Sequence, residues 1–281
     1  MVREDPPRGG GTPLGVCPLA WAAIESALRG QTIGQRIVYR ASTGSTNDDA
    51  KALAAAGEPE GTVILADEQT AGRGRAGKSR WITPAATSMA ASILLRPVLR
   101  PERLGTLAMV AGLAAVAAVR QTAGLDASLK WPNDVLAGDR KLGGILVESA
   151  LGAAGIAYAV IGIGLNGNLR AADLGSLPDA AVPPTTLLEA TGHPIEREPL
   201  LIALLQALDA RYAQLTTGGS TVLRDYRAAL STLGQPVTVT GGGTTHGTAE
   251  DVTDTGALIL RLPDGSHREL AYGEVTVRSN A

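Results

Sequence analysis

From Arg36 onward the chain is written in short apolar runs punctuated by Gly and Pro, and the period of those runs alternates between two and about three and a half. Period two predicts strands and the longer period predicts helices. Arg36–Arg40, Gly61–Ala66, Ser88–Arg96, Ala127–Trp131, Asp134–Ala137, Gly144–Ser149 and Ile156–Leu165 read as strands. Ser45, Thr46 and Asn47 cap a helix that runs to Ala56, with Asp48 and Asp49 placed for a capping box and for the positive end of the helix dipole. Longer helices are expected at about Pro101–Thr122, Glu198–Leu215 and Ser220–Leu230, and a short one around Leu19–Arg29. Strands and helices mixed in one region predict an α/β (α+β) domain, a mixed sheet with flanking helices.

The pattern changes at Gly234. Short strands at Pro236–Thr240, Thr245–Val252, Ala257–Leu262, Arg268–Leu270 and Val275–Arg278 alternate with turns such as Asp254-Thr255-Gly256 and Pro263-Asp264-Gly265. The expected organisation is an N-terminal extension over 1–35, disordered over about 1–17, a mixed α/β domain over 36–233, and a small all-β barrel over 234–281.

Charge narrows the partners. A net charge of −2 gives no sign of a nucleic-acid or membrane surface. The single cysteine, Cys17, excludes an internal disulfide and any Cys-based zinc cluster, and His193, His246 and His267 stand far apart with no metal-ligand spacing. The apolar run Leu104–Val119 falls short of the ~20 residues of a membrane span and reads as a buried helix. With no secretory signal pattern, a cytoplasmic location is expected.

Chemistry concentrates in four stretches. Gly72 to Trp81 holds three glycines, three arginines and one lysine, which suits a loop folding over an anion: glycine backbone approaches closely, and guanidinium forks match carboxylate and phosphate oxygens. Its Gly72-x-Gly74-x-x-Gly77 spacing formally fits a dinucleotide fingerprint, but no amphipathic helix follows, so that reading is set aside. In Lys130-Trp131-Pro132-Asn133-Asp134, a carboxylate beside a phosphate-binding lysine suits Mg²⁺, which takes few protein ligands plus phosphates; an ordinary Pro-Asn-Asp turn reads equally well. In Lys141-Leu142-Gly143-Gly144, the lysine sits beside bare backbone at which a ligand can approach. In Gly162-Ile163-Gly164-Leu165-Asn166, the two glycines share one face of a strand and form either a smooth pocket wall or a seat for another element.

Taken with Ser45-Thr46-Asn47 and Gln69, these motifs resemble biotin protein ligases over about Gly44 to Arg278. The resemblance implies a catalytic domain like class II aminoacyl-tRNA synthetases and a C-terminal SH3-like β-barrel. It implies an enzyme that makes biotinyl-5′-AMP and pyrophosphate from biotin and MgATP, then transfers biotin to a lysine of a biotin carboxyl carrier protein or domain. Ser45, Thr46, Asn47, Gln69, Gly72, Arg73, Gly74, Arg75, Lys141, Gly144 and Gly162 are implied in binding biotin. Arg75, Lys78, Trp81, Lys130, Asn133, Asp134, Lys141, Asn166 and Arg278 are implied for ATP, Asp134 for Mg²⁺, and Arg75 and Lys141 for catalysis. The loop carries one residue more before Trp81 than the family's usual form, so its last cation is either Lys78 or Arg80. No helix-turn-helix segment is expected, which implies the simple ligase branch without DNA binding. A lipoate-protein ligase on the same scaffold and a non-catalytic biotin- or nucleotide-binding regulator are the alternatives.

Overall fold

The computed structural model describes residues 2–3, 19–75, 81, 83–153, 155–174, 182–216, 220–240, 243–271 and 273–277. In chain order its elements are β1 (Val2–Arg3), α1 (Trp21–Ala27), β2 (Arg36–Thr43), α2 (Thr46–Ala55), β3 (Thr62–Gln69), β4 (Met89–Leu95), α3 (Gly105–Ala123), β5 (Ala127–Lys130), β6 (Asp134–Ala137), β7 (Arg140–Gly152), β8 (Gly155–Leu165), α4 (Leu187–Thr191), α5 (Arg197–Thr216) and α6 (Ser220–Ala229). The C-terminal elements are β9 (Pro236–Thr240), β10 (Thr244–Val252), β11 (Leu258–Arg261), β12 (His267–Leu270) and β13 (Glu274–Val277).

The strands up to β8 form one mixed sheet in the order β1-β2-β3-β4-β8-β7-β6-β5, parallel at β1/β2 and β2/β3 and antiparallel elsewhere. Its two faces differ. One packs on α3, whose Leu107, Val110, Leu113, Ala114 and Val119 join the main core, with α5 and α6 behind it. The other carries only α2, whose Ala50 and Ala54 cover Ile64, Leu94 and Val160. A ten-residue helix cannot cover an eight-stranded face, and the uncovered part is where the site lies. The expected helix around 101–122 is long and apolar enough to cross a membrane by length and composition, more so than its sequence run suggested, but it is packed between the sheet and α5.

Strands β9–β13 make a separate antiparallel sheet, ordered β12-β11-β10-β9-β13. It docks on the first sheet's α3 end. Trp131 Nε1 donates to the Gly256 carbonyl at 2.9 Å, and Arg227 grips Asp251 at 2.6 and 2.8 Å. Gly105 has no room for a side chain because an added Cβ would overlap Thr255 O.

Three expectations change. Val2–Arg3 pairs in register with Val38 and Tyr39, inside the stretch expected to be disordered; residues 4–17 lie outside the described residues. Between β8 and α5, where no element was expected, stands a short helix, α4, N-capped by the Thr186 side chain on Glu189 N–H. The capping box at α2 does not form. Ser45 is the N-cap residue but makes no side-chain cap bond, Thr46 and Asn47 lie within the first turn, and Asp48 and Asp49 turn outward to other partners.

Candidate functional site

Sheet register builds the floor. Ala90 pairs with Gly164, Gly164 with Gly144, Gly144 with Asp134 and Asp134 with Lys130, so one row runs across β4, β8, β7, β6 and β5. Directly opposed residues point to the same face. The row is therefore smooth at its β4–β7 end and charged at its β6–β5 end. Two residues along, Ser92 pairs with Gly162 and Gly162 with Leu146.

A cavity of about 560 Å³ opens over this floor. That size suits a small ligand. Ser45, Thr46, Asn47 and Gln69 line one end, Lys130, Asn133, Asp134 and Lys141 the other, and Arg73, Gly74, Arg75 and Trp81 the loop side. Gly144 and Gly162 line it too, so most of the residues singled out from sequence meet here.

Lys141 reaches the site through a bulge. It stands three residues before Gly144, which in an unbroken strand would aim it at the opposite face. The β6–β7 register shifts there, an extra residue is absorbed, and Lys141 comes round to Gly144's side. Its ammonium meets Asp134 Oδ1 at 2.6 Å, and Lys130 stands 3.9 Å from the same carboxylate.

The loop is pinched at its neck. Trp81 N donates to Gly72 O at 2.9 Å and Gln69 N to Thr83 O at 3.2 Å. Arg73 then turns away onto α2, pairing with both oxygens of Asp48 at 2.5 and 2.6 Å. Lys51 bridges Asp48 and Glu148, each at 2.9 Å. Arg73 holds the Asp48 carboxyl well below the usual carboxylate range. Burial pushes Glu148 up, but hydrogen bonds from Lys51 and Asn47 outweigh it, so its pKa lies below the ordinary value. Arg75 crosses to the second sheet and donates to Gly273 O.

The glycine face of β8 is a seat rather than bare wall. Asn47 packs on Gly162, and the Trp81 indole lies on Gly164, where any Cβ would overlap it. The indole Nε1 is buried with no hydrogen-bond partner among the described residues.

Several expected residues stand elsewhere. Gly72 is buried in the loop neck against the Trp81 carbonyl and does not line the cavity. Asn166 does not line it either; its amide donates to Thr185 O at 2.9 Å and its backbone N–H to Leu142 O, bracing the end of β8. Lys78, Arg80 and Arg278 lie outside the described residues, as do 76–80 of the loop expected to close over ligand. Among the described residues no group of three His, Cys, Asp or Glu side chains could hold a metal ion, and Asp134 is the one carboxylate lining the cavity.

Sequence reasoning missed Thr240, Gly273 and Val275, which close the cavity from the second sheet. No local signal marks them. It also missed Ser92, whose signal is visible in hindsight: a lone hydroxyl in the otherwise apolar run Met89–Leu95.

The mixed sheet and its glycine-floored, lysine-ended cavity fall largely in a region that matches ligases of the biotin and lipoate type. Residues 39–166 match the biotin/lipoate A/B protein ligase family, and residues 232–278 match the biotin protein ligase C-terminal domain. The chain is 39% identical over 229 residues to the biotin–[acetyl-CoA-carboxylase] ligase of Paracoccus denitrificans, covering 80% of this chain and 94% of that one. It is 38% identical over 248 residues to the enzyme of the same name from Mycobacterium tuberculosis, covering 84% and 89%. The biotin protein ligase from Aquifex aeolicus, solved in complex with biotin and ATP, superimposes with a TM-score of 0.72 at 27% identity, covering 87% of this chain and 99% of that one. The chain belongs to the biotin protein ligase family.

Proposed function

We propose that this protein is an ATP-dependent biotin ligase that forms biotinyl-5′-AMP and then biotinylates a lysine of a biotin carboxyl carrier protein or domain. The observation that carries the reading is the row Gly164–Gly144–Asp134–Lys130 with Lys141 brought beside it. It joins a glycine floor, covered in part by the Trp81 indole, to a cationic end within one cavity. A ligand with a compact ring and a carboxylate tail fits such a gradient.

The first step joins two anions. Two unit charges 4 Å apart repel by about 4 kcal/mol at an effective dielectric of 20. A biotin carboxylate oxygen attacks the α-phosphorus, the P–O bond to the β-phosphate breaks, and pyrophosphate leaves. Fixed cations lower that barrier without a protein nucleophile. Lys141 is placed for this, and Arg75 enters from the loop side. In the second step the carrier lysine's amine attacks the anhydride carbonyl and AMP leaves. Arg73 serves differently: its guanidinium is engaged by Asp48 and anchors the loop to α2.

The donor set fits Mg²⁺ arriving with ATP, since one carboxylate plus phosphate oxygens and waters is how this ion is commonly held. Asp134 would hold it, with Lys141 and Lys130 neutralising the same carboxylate beforehand. Mg²⁺ would supply charge neutralisation at the phosphates. A division near residue 234, an SH3-like closure of the second sheet and a class II synthetase-like first domain belong to the same reading, supported by the match over 232–278 and by β9 starting at Pro236.

Biotin-dependent exchange of radiolabelled pyrophosphate into ATP tests the activity. Exchange with biotin and not with lipoate is expected. Exchange with lipoate alone would establish the rival ligase, and binding of biotin without exchange would establish the regulator.

A further inference from the structure

Four charged side chains close a ring beside the cavity. Arg73 of the loop forks onto both oxygens of Asp48 at 2.5 and 2.6 Å. Lys51, one turn along α2, touches Asp48 Oδ1 and Glu148 Oε1, each at 2.9 Å. Glu148 Oε2 stands 3.7 Å from Arg73 Nη2, too far for a hydrogen bond, and accepts from Asn47 Nδ2 at 2.7 Å. Loop, helix and β7 therefore meet in one alternating circuit of two cations and two anions. Asp49, the other carboxylate in that turn, takes no part: it faces Thr43 Oγ1 at 2.9 Å and Arg40 at 3.7 Å. Burial pulls the Lys51 ammonium down, yet its hydrogen bonds to both carboxylates leave its pKa above the ordinary value, so it carries its charge at neutral pH.

The distances pose a choice that Lys51 settles. Asp48 and Glu148 both lie within reach of Arg73, and opposite charge alone would draw one guanidinium between the two carboxylates. Lys51 supplies the second cation. It neutralises Glu148 and leaves Arg73 to fork on Asp48, a bidentate fit that a shared position would break. Arg73, Gly74 and Arg75 are consecutive and all three line the cavity, whereas Lys51 and Glu148 do not. The point at which the Arg73 guanidinium is anchored therefore decides where Arg75 stands. We propose that Lys51 is a positioning residue for the ligand loop: by occupying Glu148, it holds Arg73 on Asp48 and keeps residues 73–75 where they meet the biotin carboxylate. Without Lys51 the loop divides between two anchors, only one of them competent. Apparent affinity then falls with the competent fraction, and saturating ligand restores it.

The inference rests on the biotin-ligase reading, and biotin-dependent pyrophosphate exchange by the full chain separates the two. Lys51→Met keeps the reach of the side chain and removes its charge. It is expected to raise the KM for biotin about fivefold, the most that a partly exposed ion pair usually moves an equilibrium, with kcat unchanged. Lys51→Arg keeps the charge and should stay close to wild type. Adding Glu148→Gln to Lys51→Met removes the rival anion, while the amide oxygen still accepts the Asn47 bond. The double variant should therefore return to a KM within about twofold of wild type, because the two sites are coupled through Arg73. A Lys51→Met enzyme with wild-type KM overturns the inference, and so does a double variant weaker than the single one. A fall in kcat and Tm with KM unmoved would make Lys51 a purely structural residue and overturn it too. Those three results leave the ligase reading intact, since wild type still shows exchange. A wild type without biotin-dependent exchange overturns both. If Lys51→Met fails to fold, Lys51→Gln carries the same comparison.

Discussion

Lys141 Nζ lies 2.6 Å from Asp134 Oδ1, and the bulge in β7 is what lets the two meet. Asp134 belongs to the floor row by simple pairing with Gly144, while Lys141 would face the core side without the register shift. The cation is therefore held by strand geometry on one side and a carboxylate on the other.

Lys141→Ala is expected to cut biotin-dependent pyrophosphate exchange by about 10²–10³-fold, the usual loss when one fixed charge-stabilising donor is removed. Lys130 remains near Asp134, so folding should survive. Exchange at near wild-type rate in the folded variant would remove Lys141 from the catalytic role.

Gly164→Ala tests whether the glycine floor is required for space. Gly164 lies in β8 with ordinary strand dihedrals, so an added methyl strains no backbone, but it enters the volume of the Trp81 indole. Overpacking of this kind typically costs 1–3 kcal/mol. Biotin affinity is expected to fall by about one to two orders of magnitude with far-ultraviolet circular dichroism unchanged. Unaltered affinity would mean that the indole yields its place freely.

Much of the site was legible because its parts are short and local. Strand alternation placed Gly162 and Gly164 on one face, and the KWPND and KLGG stretches announced charged strand ends. Three things were not legible, each for a physical reason. Arg73's pairing with Asp48 joins residues 25 apart through a helix whose first turn points outward. Ser92 meets Thr46 and Asn47 only because β4 packs against the start of α2. Thr240, Gly273 and Val275 reach the cavity only because a second sheet docks over α3, and nothing local in their sequence encodes docking. Asn166 misled because a polar residue at a strand end serves equally well as a brace, and here it bonds the Thr185 carbonyl.

The Asp48–Arg73 pair makes a pH prediction. The Asp48 carboxyl is depressed by Arg73, so its stabilisation is complete above the ordinary aspartate value of about 4 and is lost only as pH falls below it. Both side chains are partly exposed, at 38% and 48%, which limits the pair to about 1 kcal/mol or less. Asp48→Asn should lower Tm by a few degrees at most between pH 5 and 8. The difference from wild type should shrink toward zero below pH 4. A difference that grew on acidification would assign the shift to another group.

Trp131 ties the two sheets together, and Trp131→Phe tests whether that tie shapes the cavity. The indole is 1% exposed, and its Nε1 donates to Gly256 O at 2.9 Å across the seam. Phenylalanine keeps most of the apolar contact but leaves that carbonyl without the indole donor, at a cost of about 1–3 kcal/mol. At roughly 2–4 °C per kcal/mol, Tm should drop by several degrees. Loosening the seam should also displace Thr240, Gly273 and Val275, which form the cavity's far side, and with them Gly273 O, the acceptor for Arg75. The KM for ATP is therefore expected to rise together with the fall in Tm. A variant that loses stability yet keeps its KM would show that the second sheet closes the cavity without needing this bond to hold it in place.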